Sequence, residues 1–433
     1  MRKIEVGLLG LGNVGSGVMK LLGDNALAIR ARLGIQIVVK RVLVREVDKP
    51  RLVEVPRSLL CTDVNQILDD PHIAIVVELI GGEDTARDFT LAAFGKKKHV
   101  VTANKAMLAV HGEEIFESAE RQGVDIYYEA SVAGGVPLLR ALREGLASDR
   151  IDEVMGIVNG TSNFILSKMA DEARPYADIL AEAQAAGYAE ADPTLDVEGG
   201  DAAHKLSILV SLCFGKMLSQ SQIYREGITH IAPIDFRMAE QWGYVIKPLV
   251  LGRADETSIE ARVHPAMIPK SWMLAGVSGV YNAVVVSSYA LGSSMYYGRG
   301  AGMMPTAVAV VSDIIEVARD VLAHSAGTLP MRLQRSFPRE RAVRDPGDFE
   351  CRYYLRFTAP DRFGVAAEIT GALGEHGVPL AEVLQLGRGE NGKPVHVIVR
   401  TFSARERNVI AALELLGGSA NATEPPRLLR IFE

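Results

Sequence analysis

The sequence predicts an α/β protein with three parts: a parallel sheet covered on both faces, an α+β middle region, and a small βαββαβ module at the end. Three observations predict it. β-branched runs alternate with helix-spaced segments over residues 1–130. A G-x-G-x-x-G turn follows directly on the first run, and residues 351–433 alternate strand and helix patterns in a ferredoxin-like order.

Taken in order, Ile4 to Gly10 reads as a buried strand ending in a turn, and 15–30 carries helical apolar spacing. Further strand patterns lie at Ile35–Val44, Ile73–Leu79 and His99–Thr102, with helical patterns at 86–94 and 112–121. Strands alternating with helices imply a parallel sheet of the Rossmann type. Gly134, Gly135 and Pro137 break this pattern, which puts a domain boundary near residue 130. Residues 131–302 mix strands at 151–158 and 245–253 with helices at 175–186 and 201–213, an α+β pattern. A helix near 305–322, inside a returning segment 303–325, has spacing suited to packing against the first domain. The Arg- and Pro-rich stretch 326–350 reads as a linker. The last module reads as strand 352–358, helix 364–376, strands 379–387 and 394–401, helix 404–416 and strand 427–432.

Composition narrows the function. A chain of 433 residues exceeds what one core organises, and 48% hydrophobic with 23% charged content is that of a compact globular protein. A net charge of −6 disfavours phosphate polymers and anionic membranes as partners. Cys61, Cys213 and Cys351 lie too far apart in sequence to form a metal knuckle or redox dithiol, and no histidine, His204 included, has metal-ligand spacing. The N-terminus shows no cleavable leader, and nowhere do about eighteen uncharged apolar residues run together. A cytoplasmic protein is the expectation.

Gly10-Leu11-Gly12-Asn13-Val14-Gly15 lies between the first strand and the first helix, the context in which this motif binds a dinucleotide. Gly10 permits the tight turn, Gly12 lets backbone amides approach a pyrophosphate, and Gly15 lets helix and strand pack closely. The second strand ends at Arg45 and Glu46. A guanidinium suits the 2′-phosphate of NADP and a carboxylate the ribose hydroxyl of NAD, so NADP is favoured with NAD left open.

Five further segments are rich in chemistry: VVELIGG (76–82), VVTANKAML (100–108), NGTSNFIL (159–166), GYAEADPTLDVEGGDAAHKL (187–206) and GRGAGMMPTA (298–307). Asp201 and Lys205 are four apart, so they share one helix face. The 187–206 block holds more carboxylates than a turn requires, and such a cluster suits a cationic ligand. Together these segments closely resemble homoserine dehydrogenase, over most of residues 1–325.

The resemblance implies reversible NAD(P)-dependent hydride transfer between L-homoserine and L-aspartate 4-semialdehyde, in threonine and methionine biosynthesis. It implies Lys205 as acid/base, with Asp201 orienting it, and Lys105 in contact with substrate and cofactor. Glu190 and Asp196 match substrate-binding carboxylates, and Gly81 and Gly302 match cofactor contacts. A monovalent cation, usually sodium, is implied at Glu129 together with the backbone oxygens of Val132, Gly134 and Val136, bracing the hinge between domains. The expected assembly is a homodimer or homotetramer, of the monofunctional type without a fused kinase.

Residues 359–385, APDRFGVAAEITGALGEHGVPLAEVLQ, resemble the ACT family of small-molecule sensors, in which an amino acid binds near the loop holding Asp361 and Gly364. The family's Pro-Gly is here Phe363-Gly364, which weakens the assignment of a ligand. Threonine is the implied effector, and a purely dimerising module is the alternative. Two other functions stay open on sequence: a nucleotide- and amino-acid-binding regulator without catalysis, and a related dehydrogenase of different substrate.

Overall fold

The computed structural model describes residues 3–327, 341–387, 394–418 and 423–433. The first unit holds β1 (Lys3–Leu9), α1 (Asn13–Asp24), α2 (Ala26–Leu33), β2 (Gln36–Leu43), β3 (Leu60–Cys61), α3 (Asn65–Leu68), β4 (Ile73–Glu78), α4 (Asp84–Gly95), β5 (His99–Thr102), α5 (Lys105–Gln122) and β6 (Ile126–Tyr127). Its sheet is parallel with order β3-β2-β1-β4-β5-β6. The reversal of direction between β1 and β4 opens a crevice at the carboxyl ends of these strands, where a dinucleotide binds in such sheets. Helical spacing predicts one helix over 15–30, but the chain forms two, α1 and α2, meeting at Asn25.

The middle region holds α6 (Leu138–Arg140), β7 (Ile151–Ile157), α7 (Gly160–Glu172), α8 (Tyr176–Ala185), α9 (Thr194–Val197), α10 (Gly200–Phe214), β8 (Tyr224–Arg225), α11 (Pro233–Gln241), β9 (Tyr244–Ala254), β10 (Ser258–Pro269), β11 (Tyr281–Ser288) and β12 (Gly292–Arg299). Sequence periodicity locates β7, β9, α8 and α10 but not β10 to β12. β10 is buried along nearly its whole length and includes Arg262, His264 and Pro265, so it shows no alternation of polar and apolar residues. The returning helix α12 (Met303–Ala323) packs on α1 through Gly17, where a Cβ would come within 2.7 Å of the Met303 carbonyl oxygen. It therefore lies against the first unit.

The C-terminal segment holds β13 (Ala342–Val343), β14 (Glu350–Ala359), α13 (Val365–Glu375), β15 (Leu380–Leu386), β16 (Val395–Thr401), β17 (Ala404–Arg405), α14 (Glu406–Gly417) and β18 (Arg427–Ile431). Its four long strands lie in the order β18-β14-β16-β15, the arrangement of a βαββαβ ferredoxin-like module. The module is not suspended from a loose tether. β18 pairs in parallel with β10 through Ala266↔Arg430 and Met267↔Ile431, so one sheet runs through both units in the order β12-β11-β7-β9-β10-β18-β14-β16-β15. Of the stretch read as a linker, 328–340 lies outside the described residues. Residues 341–349 are structured: β13 pairs with β10, Arg344 with Asp255 and Glu260, and Phe349 is buried. Among the described residues no helix is long and apolar enough to cross a membrane.

Candidate active site

At the turn after β1, Gly10 adopts φ +99°, and a Cβ there would sit 2.7 Å from the Leu79 carbonyl oxygen. A Cβ on Gly15 would approach the Gly10 carbonyl oxygen at 2.4 Å, so both positions need glycine for close packing. Gly12 differs. A Cβ there meets nothing within 4 Å, and no side chain caps α1, so open space adjoins an uncapped helix start. Space beside uncapped amides at a helix N-terminus is what a pyrophosphate requires, and these residues fit a dinucleotide. Leu11 is buried beneath the turn, Asn13 is exposed and Val14 half-buried. Arg45 is exposed just beyond β2, and Gly302 begins α12 at φ +116°, also without a side-chain cap.

Gly81 lies across the crevice in a loop organised by Glu78, a fully buried carboxylate that the sequence argument leaves without a role. Glu78 accepts from the amides of Ile80 (2.9 Å) and Gly81 (3.4 Å) and from the Thr102 hydroxyl (2.6 Å). Burial pushes its carboxyl up, against the pull of those donors. Asn104 caps α5 by accepting from the Met107 amide and donates to the Gly82 carbonyl, which ties this loop to the helix that starts with Lys105. The signal for Glu78 was a lone carboxylate ending an otherwise apolar strand.

Lys105 reaches across from the nucleotide unit to Asp201, with its ammonium 3.1 Å from Oδ1. The other oxygen, Oδ2, accepts from Lys205 at 2.7 Å and from the Asn159 amide at 2.8 Å. Asp201 and Lys205 stand one turn apart on α10 and face the same way, as their spacing predicts. Lys205 also donates to the Val158 carbonyl at 2.6 Å. An ammonium has three hydrogens. Among the described residues Lys205 has two acceptors, which leaves one N–H for a ligand oxygen. Burial acts to raise Asp201, but the charges of Lys205 and Lys105 and the donors on its oxygens outweigh it and hold the carboxyl well below the usual range. Asp201 therefore remains ionised and acts as a fixed anion between the two lysines.

Asp196 joins the cluster through Asn159, which donates to its Oδ1 at 2.7 Å. Glu190 does not join it. Its residue is exposed, with its carbonyl accepting from Gln184, and it makes none of the contacts that link Lys105, Asn159, Asp196, Asp201 and Lys205. His204 is half-buried beside the cluster, its Nδ1 without a partner, and burial lowers its pKa, which suits a neutral ring.

The bend proposed for an ion is well formed. Val132 and Val136 are buried, and Gly134, at φ +51°, packs on the Gly300 carbonyl, where a Cβ would come within 2.3 Å. The Glu129 carboxylate, however, accepts from the amides of Leu139 (2.8 Å) and Arg140 (2.7 Å), so it caps the next helix. A cation at this bend would be held chiefly by backbone oxygens. The described residues contain no cluster of three or more His, Cys, Asp or Glu side chains arranged for a metal.

Comparison with known proteins bears on this constellation. A family model described as "Homoserine dehydrogenase, NAD binding domain" matches residues 10–129, and one described as "Homoserine dehydrogenase" matches 137–315. Homoserine dehydrogenase of Bacillus subtilis is 41% identical over 416 residues, covering 96% of this chain and 95% of its own. The chain belongs to the homoserine dehydrogenase family. The homoserine dehydrogenase of Pseudomonas aeruginosa is 43% identical, with 96% and 97% of the two chains covered. A crystal structure of a homoserine dehydrogenase from Thiobacillus denitrificans superposes with TM-score 0.91 at 42% identity, covering 100% of this chain and 99% of that one. The turn at Gly10–Gly15 thus lies in the part matched by the NAD-binding model, and Lys105 joins that part to Asp201 in the part matched by the second model.

Proposed function

We propose that the chain reversibly transfers a hydride between a nicotinamide coenzyme and the terminal carbon that links L-homoserine to L-aspartate 4-semialdehyde, with Lys205 as acid and base. The observation that carries this is the unfilled third N–H of Lys205, buried one helical turn from an anion that keeps it in place. In the reducing direction Lys205 gives a proton to the aldehyde oxygen, and in the oxidising direction it takes the hydroxyl proton back. The bound nicotinamide supplies or accepts the hydride. Lys105 spans the crevice and holds the substrate oxygen or carboxylate, while Asp196 receives the substrate ammonium. Glu190, exposed here, serves the substrate only after the cleft closes over it.

Arg45 favours NADP, because no carboxylate stands at that position and an exposed guanidinium suits a phosphate. Sodium bound by the backbone of Val132, Gly134 and Val136 beside Glu129 would brace the bend against the Gly300 turn. The C-terminal module serves as an ACT-type sensor, with threonine as the effector near Asp361 and Gly364. The test is absorbance at 340 nm with homoserine and each coenzyme, with malate and glutamate in parallel. Turnover with homoserine that prefers NADP is expected, and preferential turnover of malate or glutamate would overturn the assignment.

A further inference from the structure

Asn159 occupies the bend between β7 and α7, is almost fully buried, and uses its whole side chain. Its Oδ1 accepts from the Ser162 amide at 2.8 Å and caps α7. That bond fixes the amide's orientation and turns Nδ2 towards two carboxylates, giving one hydrogen to Asp196 (2.7 Å) and the other to Asp201 (2.8 Å). The preceding residue, Val158, supplies the carbonyl that holds Lys205. One short bend therefore sets the positions of the proton-transfer lysine, its anion, and a half-buried carboxylate on a separate helix, α9.

A helix cap needs only an acceptor, and Ser, Asp or Asn would serve equally well. Two donors pointing away from the helix, each on a different carboxylate, are more than capping requires. Asp196 makes no hydrogen bond through its side chain to any other described residue, so Asn159 alone holds its carboxylate in place.

We propose that Asn159 is a positioning residue that sets the distance between the site for the substrate ammonium and the site of hydride transfer, and so selects a four-carbon chain. This rests on the reading of Asp196 and Lys205 given above. In homoserine the amino group and the hydroxyl carbon are separated by two carbons. A clamp with both ends fixed accepts that span and disfavours one carbon more.

Asn159→Ser and Asn159→Asp both keep a capping oxygen and both lose the amide donors. If Asn159 only caps α7, both behave as wild type. If it positions the carboxylates, KM for homoserine rises about tenfold or more in both, the loss of a hydrogen bond to a charged group, and Asn159→Ser, which adds no charge, keeps its melting temperature within a few degrees. KM for the coenzyme stays unchanged, and the preference for homoserine over 2-amino-5-hydroxypentanoate falls by about the same factor. The two variants also separate by pH. A carboxyl at 159 facing two carboxylates donates only when protonated, so Asn159→Asp regains activity as pH falls and Asn159→Ser does not. Wild-type KM and wild-type discrimination in Asn159→Ser would overturn the proposal while leaving the enzyme assignment intact. Wild-type protein inactive on homoserine would overturn the assignment itself, and this inference with it.

Discussion

At the Asp201 cluster two lysines and one amide converge on a single carboxylate, whereas at the junction with the C-terminal module a single guanidinium, Arg430, is held between two carboxylates. Arg430 has no exposed surface. Its Nε donates to Glu406 (2.9 Å), its Nη1 to Glu226 (2.9 Å), and its Nη2 to Glu226, to Glu406 and to the Tyr224 hydroxyl. Every nitrogen of that group donates, and the cation is sealed between its two carboxylates. At Lys205 one hydrogen is left over, and Lys105 keeps 35% of its side chain exposed. The contrast teaches how buried charge divides between structure and chemistry: a cation sealed between two carboxylates fixes two units together, and an incompletely paired one that keeps some exposed surface is available to a ligand.

The sharpest way to break this comparison is to remove one cation from each cluster. Lys205→Met should lower kcat by about 10²–10⁴, the range for a positioned acid/base, because Asp201 keeps Lys105 and Asn159 as partners and the fold is retained. The measurement is steady-state turnover beside a thermal melt. Turnover within threefold of wild type would remove Lys205 from the chemistry.

Arg430→Met should do the reverse. It leaves the buried Glu406 and the half-buried Glu226 without a counter-charge, at a cost of about 3–5 kcal/mol, read as a lower urea midpoint. Combining it with Glu226→Gln and Glu406→Gln should recover most of the loss, since the penalty comes from uncompensated charge. A single variant as stable as wild type would show that this junction is not held by its ions.

These two clusters were not equally legible in the sequence. Asp201 and Lys205 stand one turn apart on one helix, so local periodicity shows them together, and the Gly10–Gly15 turn declares itself by its place after a strand. Arg430 meets Glu226 across 204 residues of chain, and nothing within RLLRI indicates a partner so distant. Asn159 was in view inside NGTSNFIL, but its cap conceals its second use, because an Asn before a helix is already explained. The βαββαβ order was legible from alternation, and its fusion to β10 was not, since strand pairing between units leaves no local pattern.

A third buried cation sharpens the rule. Among the described residues Lys247 donates only to the Val277 carbonyl, at 2.6 Å, beside a cavity of about 370 Å³ that Asp171 and Ser167 also line. Burial pulls its ammonium down to about 8, with Asp171 opposing. An unfolded lysine titrates near about 10.4, so between these values the folded chain carries fewer protons and stability rises with pH. Below about pH 8 the buried charge costs its full penalty, on the order of 3 kcal/mol. Relative to Lys247→Met, wild type should therefore gain about that amount between pH 8 and pH 10.4, measured as urea midpoints at several pH values. Parallel curves would mean that the amine is solvated, and that incomplete pairing here carries no penalty.

The mildest case is a cation with no ion-pair partner among the described residues. Arg45 is exposed at the end of β2, and its guanidinium makes no ion pair with any described residue. If incomplete pairing marks a place for a ligand, the missing anion here is the coenzyme's 2′-phosphate. Arg45→Ala should then raise KM for NADPH about tenfold, the worth of one charge-assisted contact in water, and leave KM for NADH unchanged. Raising the salt concentration should shrink the difference between wild type and variant, because exposed charge is screened. Equal effects on both coenzymes would make Arg45 an ordinary surface arginine, and coenzyme choice would then rest on the backbone of the turn and on neighbouring Glu46.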